Sequence, residues 1–94
     1  MVEVTDNTAR HRFEMTVDGK VAFLDYAMED GRLVLMHTEV PQVLAGRGVG
    51  TALVRLVLDE ARSGGLRIVP KCEFVETYIR HHPEFADLVG ASPA

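Results

Sequence analysis

Gly46-Arg47-Gly48-Val49-Gly50-Thr51 lies between an apolar stretch of strand character and an amphipathic stretch of helical period. Glycines in that position let the backbone turn tightly and approach a ligand with no Cβ in the way. The start of the helix that follows offers unpaired amides and the positive end of the helix dipole, which together favour a phosphate. The plainer alternative is a structural turn that binds nothing. Two phosphate motifs are excluded by spelling. There is no Gly-Lys-Ser/Thr, so this is not a Walker loop. The glycines fall as G-x-G-x-G rather than G-x-G-x-x-G, and the strand before them belongs to an antiparallel meander, which removes the dinucleotide fold.

Downstream, Thr51 to Arg62 reads as an amphipathic helix. Leu53, Val54, Leu56, Val57 and Ala61 form its apolar face, and Thr51, Arg55, Asp59 and Arg62 line the other side. Gly64-Gly65 ends it with a left-handed cap. Leu66 to Val69 is a short strand ending at Pro70. Glu73 to His81 is a second helix with Phe74, Val75, Tyr78 and Ile79 facing inward, and Pro83 breaks it before a last turn or two over 84–89. Upstream, His11 to Val17 alternates, with His11, Phe13, Met15 and Val17 on one face. Asp18-Gly19 is a hairpin turn and Val21 to Ala27 its partner strand. After Glu29-Asp30-Gly31, Arg32 to Val40 is a third strand, apolar enough to be covered on both faces. Residues 1–10 and 90–94 read as frayed ends. The order is β-β-β-α-β-α, and its final β-α-β step is a crossover, so the last two strands lie parallel. The class is α/β (α+β): an antiparallel meander, then a β-α-β crossover with a C-terminal helix. We read it as one domain over 1–94 with an ordered core of about 11–89.

Composition narrows the function. An apolar fraction of 47% and a charged fraction of 26% are those of a globular chain. Ten basic against 14 acidic residues give a net charge of -4, so no nucleic-acid partner is expected. Cys72 stands alone and cannot form an internal disulfide, which points to the reducing cytoplasm. Residues 1–12 lack the apolar run of a signal peptide, and Ala52 to Leu58 is too short to cross a bilayer. No heptad or large apolar stripe is visible, so a monomer is expected. No cluster has metal-ligand spacing; His81 and His82 are adjacent and point apart on a helix.

Val40-Pro41 followed by Gly46-Arg47-Gly48-Val49-Gly50-Thr51-Ala52-Leu53 resembles the acetyl-CoA pyrophosphate loop of GNAT-type acetyltransferases, Gln/Arg-x-x-Gly-x-Gly/Ala. Gly48 and Gly50 match its glycines. Ala45 stands at the Gln/Arg position, so that side-chain anchor is lost, and Arg47 can supply compensating charge. His37-Thr38-Glu39, Pro70-Lys71-Cys72, Tyr78-Ile79 and His82-Pro83-Glu84 extend the resemblance over residues 11–89, to the small YjdJ-like branch of the family. The resemblance implies a minimal GNAT fold that binds acetyl-CoA (or free coenzyme A) through Val40, Gly46, Arg47, Gly48, Val49, Gly50 and Thr51. It also implies that Cys72 and His37 face the acetyl group.

Cys72 precedes a helix and follows Lys71, a setting that can activate a thiol, while Glu73 and Glu76 oppose this. It can equally be an inert packed cysteine. On strict alternation His37 shares a strand face with Leu33 and Leu35. It is either a core or rim histidine bonded to a carbonyl, or a general base within reach of Cys72. Glu39, on the same face as His37, is a base or orienter, or an exposed edge charge. Tyr78 can act as a general acid, although a packed aromatic on a helix is the commoner role. The function expected is transfer of an acetyl group from acetyl-CoA to an amine acceptor, either directly or through Cys72. The alternatives are a non-catalytic acyl-CoA-binding or sensing module, and a structural domain that binds no coenzyme A.

Overall fold

Two Asp-Gly pairs set the sheet. Asp18 and Gly19 have φ of 51° and 76°, Asp30 and Gly31 of 52° and 75°. Two successive left-handed residues make the turn whose twist matches that of antiparallel strands. In this computed structural model, which describes residues 4–89, they join β2 (Arg12–Val17), β3 (Lys20–Glu29) and β4 (Arg32–Glu39). β1 (Val4–Asn7) precedes them. α1 (Val49–Ser63) then crosses over to β5 (Arg67–Pro70), and α2 (Glu73–His81) follows. Short 3₁₀ turns occupy Gln42–Leu44 and Pro83–Leu88. The sheet order is β1-β2-β3-β4-β5, antiparallel except for the parallel β4–β5 pair expected of the crossover. This is the α/β class read from the sequence.

The N-terminal expectation needs correction. Residues 4–7 are not frayed but form an edge strand on β2, with Val4 opposite Met15 and Asn7 opposite Arg12. Val4-Thr5-Asp6-Asn7 is too polar to announce itself, and it is held by long-range bonds instead. The Tyr26 hydroxyl donates to Asp6 Oδ1 at 2.7 Å. Burial first, and that bond second, push the Tyr26 phenol up to about 12. His11 is not a strand residue of the apolar face; it is exposed, with φ of 54°, in the turn between β1 and β2. Residues 1–3 and 90–94, expected from the sequence to be frayed, lie outside the described residues.

α1 and α2 pack on one face of the sheet. Phe13, Met15, Leu24, Leu33 and Leu35 meet Leu53, Val54, Val57 and Leu58 of α1 and Val75 and Ile79 of α2 in one buried cluster. α1 starts two residues earlier than the periodicity suggests, because Gly48 (φ 75°) is its N-cap. It ends in a Schellman cap: Leu66 N–H donates to Ala61 O and Gly65 N–H to Arg62 O, with Gly65 (φ 70°) rather than Gly64 in the left-handed conformation. Arg62 then pins the last turn, donating to both Asp87 carboxylate oxygens at 2.9 and 3.0 Å and to the Glu84 carbonyl at 2.8 Å. The Arg62 bond holds the Asp87 carboxyl below its usual range.

One irregularity decides the geometry of the site. Tyr26 pairs with Leu35, but Asp25 pairs with His37, so Met36 is an extra residue in β4. Such a bulge resets the alternation of side chains. Beyond it Thr38 lies opposite Leu24 on the helix-covered face, while His37 and Glu39 lie opposite Asp25 and Phe23 on the other face. The expectation that His37 shares the face of Leu33 and Leu35 is therefore overturned. Coverage of both faces also holds only for Leu33–Leu35; Met36 is half exposed.

Candidate functional site: a strand cleft and a glycine cradle

β4 and β5 stop pairing at Leu35 and Pro70, yet β4 runs on to Glu39. The Leu35 carbonyl shows why they part. It accepts from both the Lys71 and Cys72 amides, at 2.9 and 3.0 Å, so the chain after β5 is drawn across the end of the ladder instead of along it. Cys72 sits at this mouth as N-cap of α2, a free thiol with 8% of its surface exposed. Its partner is Thr38: Oγ1 and Sγ lie 3.4 Å apart. Strict alternation would point Thr38 away from the helices, and the bulge that turns it inward leaves no mark in the sequence.

His37 and Glu39 come together as expected, but away from Cys72. Their side chains meet at 3.0 Å on the uncovered face, and both are well exposed. The pair can shuttle a proton at the surface, and the sheet stands between it and the thiol.

The glycine segment folds into a cradle. After the turn at Gln42–Leu44, Gly46 (φ 78°) and Gly48 (φ 75°) take left-handed conformations. Among the described residues the amides of Gly46, Gly48, Val49, Gly50 and Thr51 donate to no backbone carbonyl. Gly50 allows close packing: a Cβ there would stand 3.1 Å from Phe74 Cζ and 3.3 Å from Val40 Cγ2. The result is a cleft of about 230 Å³ bounded by Val40, Gly46, Gly48, Val49, Gly50 and Thr51, with Phe74 as an unforeseen wall. Phe74 was expected to face inward; it is 44% exposed, held at the surface by its seat over Gly50. Unpaired amides at a helix N-terminus fit a phosphoryl group.

Arg47 is the one predicted loop residue that turns elsewhere. Its guanidinium donates to Asp18 Oδ2 at 2.8 Å, an exposed pair with the first hairpin, so its charge does not face the cleft. Tyr78 is a packed aromatic, 6% exposed and stacked on His82. Among the described residues no three His, Cys, Asp or Glu side chains are grouped to hold a metal, and no helix is long and apolar enough to cross a membrane.

Known proteins share this arrangement of sequence. Residues 12–88 match the family model described as GCN5-related N-acetyl-transferase. The chain is 29% identical over 85 residues to Protein NATD1 of Gallus gallus, covering 87% of this chain and 77% of that protein. Protein NATD1 of Homo sapiens is likewise 29% identical over 85 residues, covering 87% and 75%. The Xenopus tropicalis protein of that name is 27% identical over the same length.

Proposed function

This chain belongs to the GCN5-related N-acetyltransferase family, and on that premise we propose that it is an acetyl-CoA-dependent N-acetyltransferase of the small YjdJ-like branch, acting on an amine. The observation that carries the reading is the cradle of unpaired amides at the start of α1, opening beside the parted ends of β4 and β5. The whole of 1–94 is taken as one acyl-CoA-binding unit, working as a monomer in the reducing cytoplasm, where the lone Cys72 stays a thiol.

In this reading the amides of Gly46, Gly48, Val49, Gly50 and Thr51 hold the pyrophosphate of acetyl-CoA. The edge of β4 that faces β5, left unpaired with it beyond Leu35, pairs with the pantetheine arm at Glu39 and at Val40 just after the strand. Acetyl-CoA supplies an acyl carbon activated as a thioester. Thr38 and the Leu35 carbonyl hold Cys72 at the mouth, and in the covalent route its sulfur takes the acetyl group as the thioester bond to coenzyme A breaks, coenzyme A leaving as the thiol with the proton that Cys72 gives up. His37, oriented by Glu39, accepts the proton that the amine must lose. Arg47 exchanges Asp18 for the ligand's negative charge, at small expense because an exposed ion pair contributes little.

A second reading is favoured by one observation. The proton acceptor and the thiol lie on opposite faces of β4, which suits a protein that binds or senses acyl-CoA without turnover. Release of free coenzyme A in the presence of amines, polyamines and peptides separates the two. Release above the hydrolytic background with any amine supports the transferase. Micromolar binding with silence across the panel supports the module. Turnover that survives Cys72→Ala would falsify the covalent route alone, and turnover that survives His37→Ala would remove His37 as base.

A further inference from the structure

Two chemically identical turns stand in different surroundings. Asp18-Gly19 and Asp30-Gly31 are the two Asp-Gly steps of the chain. Each is the two-residue loop of a hairpin, with nearly identical φ: 51° and 76° in the first, 52° and 75° in the second. All four residues are exposed. A Cβ built on Gly19 or Gly31 would meet nothing within 4 Å, so neither glycine is crowded. Charge partners separate the turns. Arg47 Nη1 donates to Asp18 Oδ2 at 2.8 Å and draws that carboxylate out towards the glycine loop. Asp30 has no side-chain hydrogen bond or ion pair among the described residues. The charges nearest to it in sequence, Glu29 and Arg32, stand opposite each other at the strand ends.

An aspartate followed by glycine carries its own electrophile and nucleophile. The glycine nitrogen, with no side chain to shield it, attacks Cγ of the aspartic acid. A C–N bond forms, the Cγ hydroxyl leaves as water with the amide proton, and a five-membered succinimide results. Water then opens the ring at either carbonyl. Opening at Cγ restores aspartate. Opening at the main-chain carbonyl leaves the chain running through Cγ, as isoaspartate with a free α-carboxylate. The water lost is the water regained, and no other reactant is consumed. We infer that Asp30 is the site of spontaneous isoaspartate formation in this protein, and that Arg47 spares Asp18. The Asp18 carboxylate must leave the guanidinium before its carbon can turn back onto the Gly19 nitrogen. The product adds a methylene to the main chain of the β3–β4 turn, a tight loop that sets strand register. β4 carries His37, Thr38 and Glu39, so the lesion falls on the strand that builds the site. The exposed turn leaves room for a repair enzyme that methylates free α-carboxylates.

The test ages the ligand-free full chain in warm, mildly acidic buffer, so it is independent of the acetyl-CoA reading. Trypsin separates the two turns into the peptides Phe13–Lys20 and Val21–Arg32. Isoaspartate is counted in each by chromatography and by resistance to cleavage before the aspartate. Asp30 should convert faster than Asp18 by up to about fivefold, the factor equivalent to an exposed ion pair at the upper end of its usual range. Arg47→Ala should bring Asp18 to the pace of Asp30 and leave Asp30 unchanged. High salt, which screens the pair without a mutation, should raise Asp18 alone. Asp30→Gly, which tolerates the left-handed turn, should abolish conversion in its peptide and leave Asp18 slow. Equal rates in the wild type, an Asp18 rate faster than that of Asp30, or an Asp18 rate indifferent to both Arg47→Ala and salt would overturn the inference. So would absence of isoaspartate at Asp30 after a period in which the free peptide Val21–Arg32 has converted.

Discussion

Leu33–Leu35 and His37–Glu39 are segments of one strand, separated by a single residue, and they live under different rules. The first segment is paired on both edges and buried on both faces, with Leu33, Val34 and Leu35 no more than 2% exposed. The second is paired on one edge only, and His37 and Glu39 are exposed. Met36 divides them. One extra residue reverses which side chains face the helices, and the Leu35 carbonyl, by capturing two amides, ends the ladder with β5. The lesson is that a strand can be made structural and then chemically available within a few residues, when one extra residue and one captured carbonyl coincide with the change from Leu33-Val34-Leu35 to His37-Thr38-Glu39.

Five substitutions, grouped into four tests, sharpen that contrast, from the largest effect to the smallest. Leu35→Ala should destabilise by about 3 kcal/mol in urea unfolding, as loss of a fully buried leucine side chain does, while Met36→Ala should change stability by less than about 1 kcal/mol. Similar losses at both sites would erase the division. Tyr26, the partner of Leu35 across the bulge, anchors β1 through Asp6. Tyr26→Phe should remove about 1–2 kcal/mol near neutral pH. Its wild-type contribution also has a pH signature. A tyrosine in the unfolded chain titrates near 10, below the folded value of about 12. The unfolded state therefore gives up its proton first, and stability that is complete below pH 10 drains away as pH rises through 12. The Phe variant should lack that alkaline decline, followed by circular dichroism.

On the exposed side of the division, Gly48→Ala forces a Cβ into a left-handed N-cap. It should lower stability by about 1 kcal/mol and weaken coenzyme A by displacing the amides of Val49 and Gly50. Unchanged stability and binding would show that the left-handed turn is dispensable. The smallest effect on folding is expected at Thr38. Thr38→Val keeps the shape and removes the hydroxyl facing Cys72. Stability should move by less than about 1 kcal/mol, while the rate of Cys72 alkylation by iodoacetamide, followed across pH, should change and be restored by Thr38→Ser. An unchanged alkylation profile would reduce Thr38 to packing.

Much of this was legible from residue order. The Asp-Gly turns, the apolar stripe of α1 and the crossover fixed four strands, two helices and the parallel pair. The glycine spacing located the cradle, and six of its seven predicted residues line one cleft. What stayed hidden depends on long-range contacts. β1 is polar and is held by Asp6 and Asn7 side chains that reach Tyr26 and Glu14. The bulge exists because β3 and β4 are offset by one residue, which neither strand shows alone, and with it went the facing of His37 and Thr38. Arg47 found an acidic partner 29 residues away, and Phe74 stays outside because Gly50 leaves it a seat.

The most direct measurement is calorimetric titration of the purified protein with acetyl-CoA and with free coenzyme A. A micromolar dissociation constant, about -8 kcal/mol, weakened at least tenfold when Gly48 or Gly50 is replaced by valine in a variant that remains folded, is the result expected of a phosphate cradle at the start of α1. No heat at millimolar ligand, or binding indifferent to both valines, would contradict it and leave the cleft without its proposed ligand.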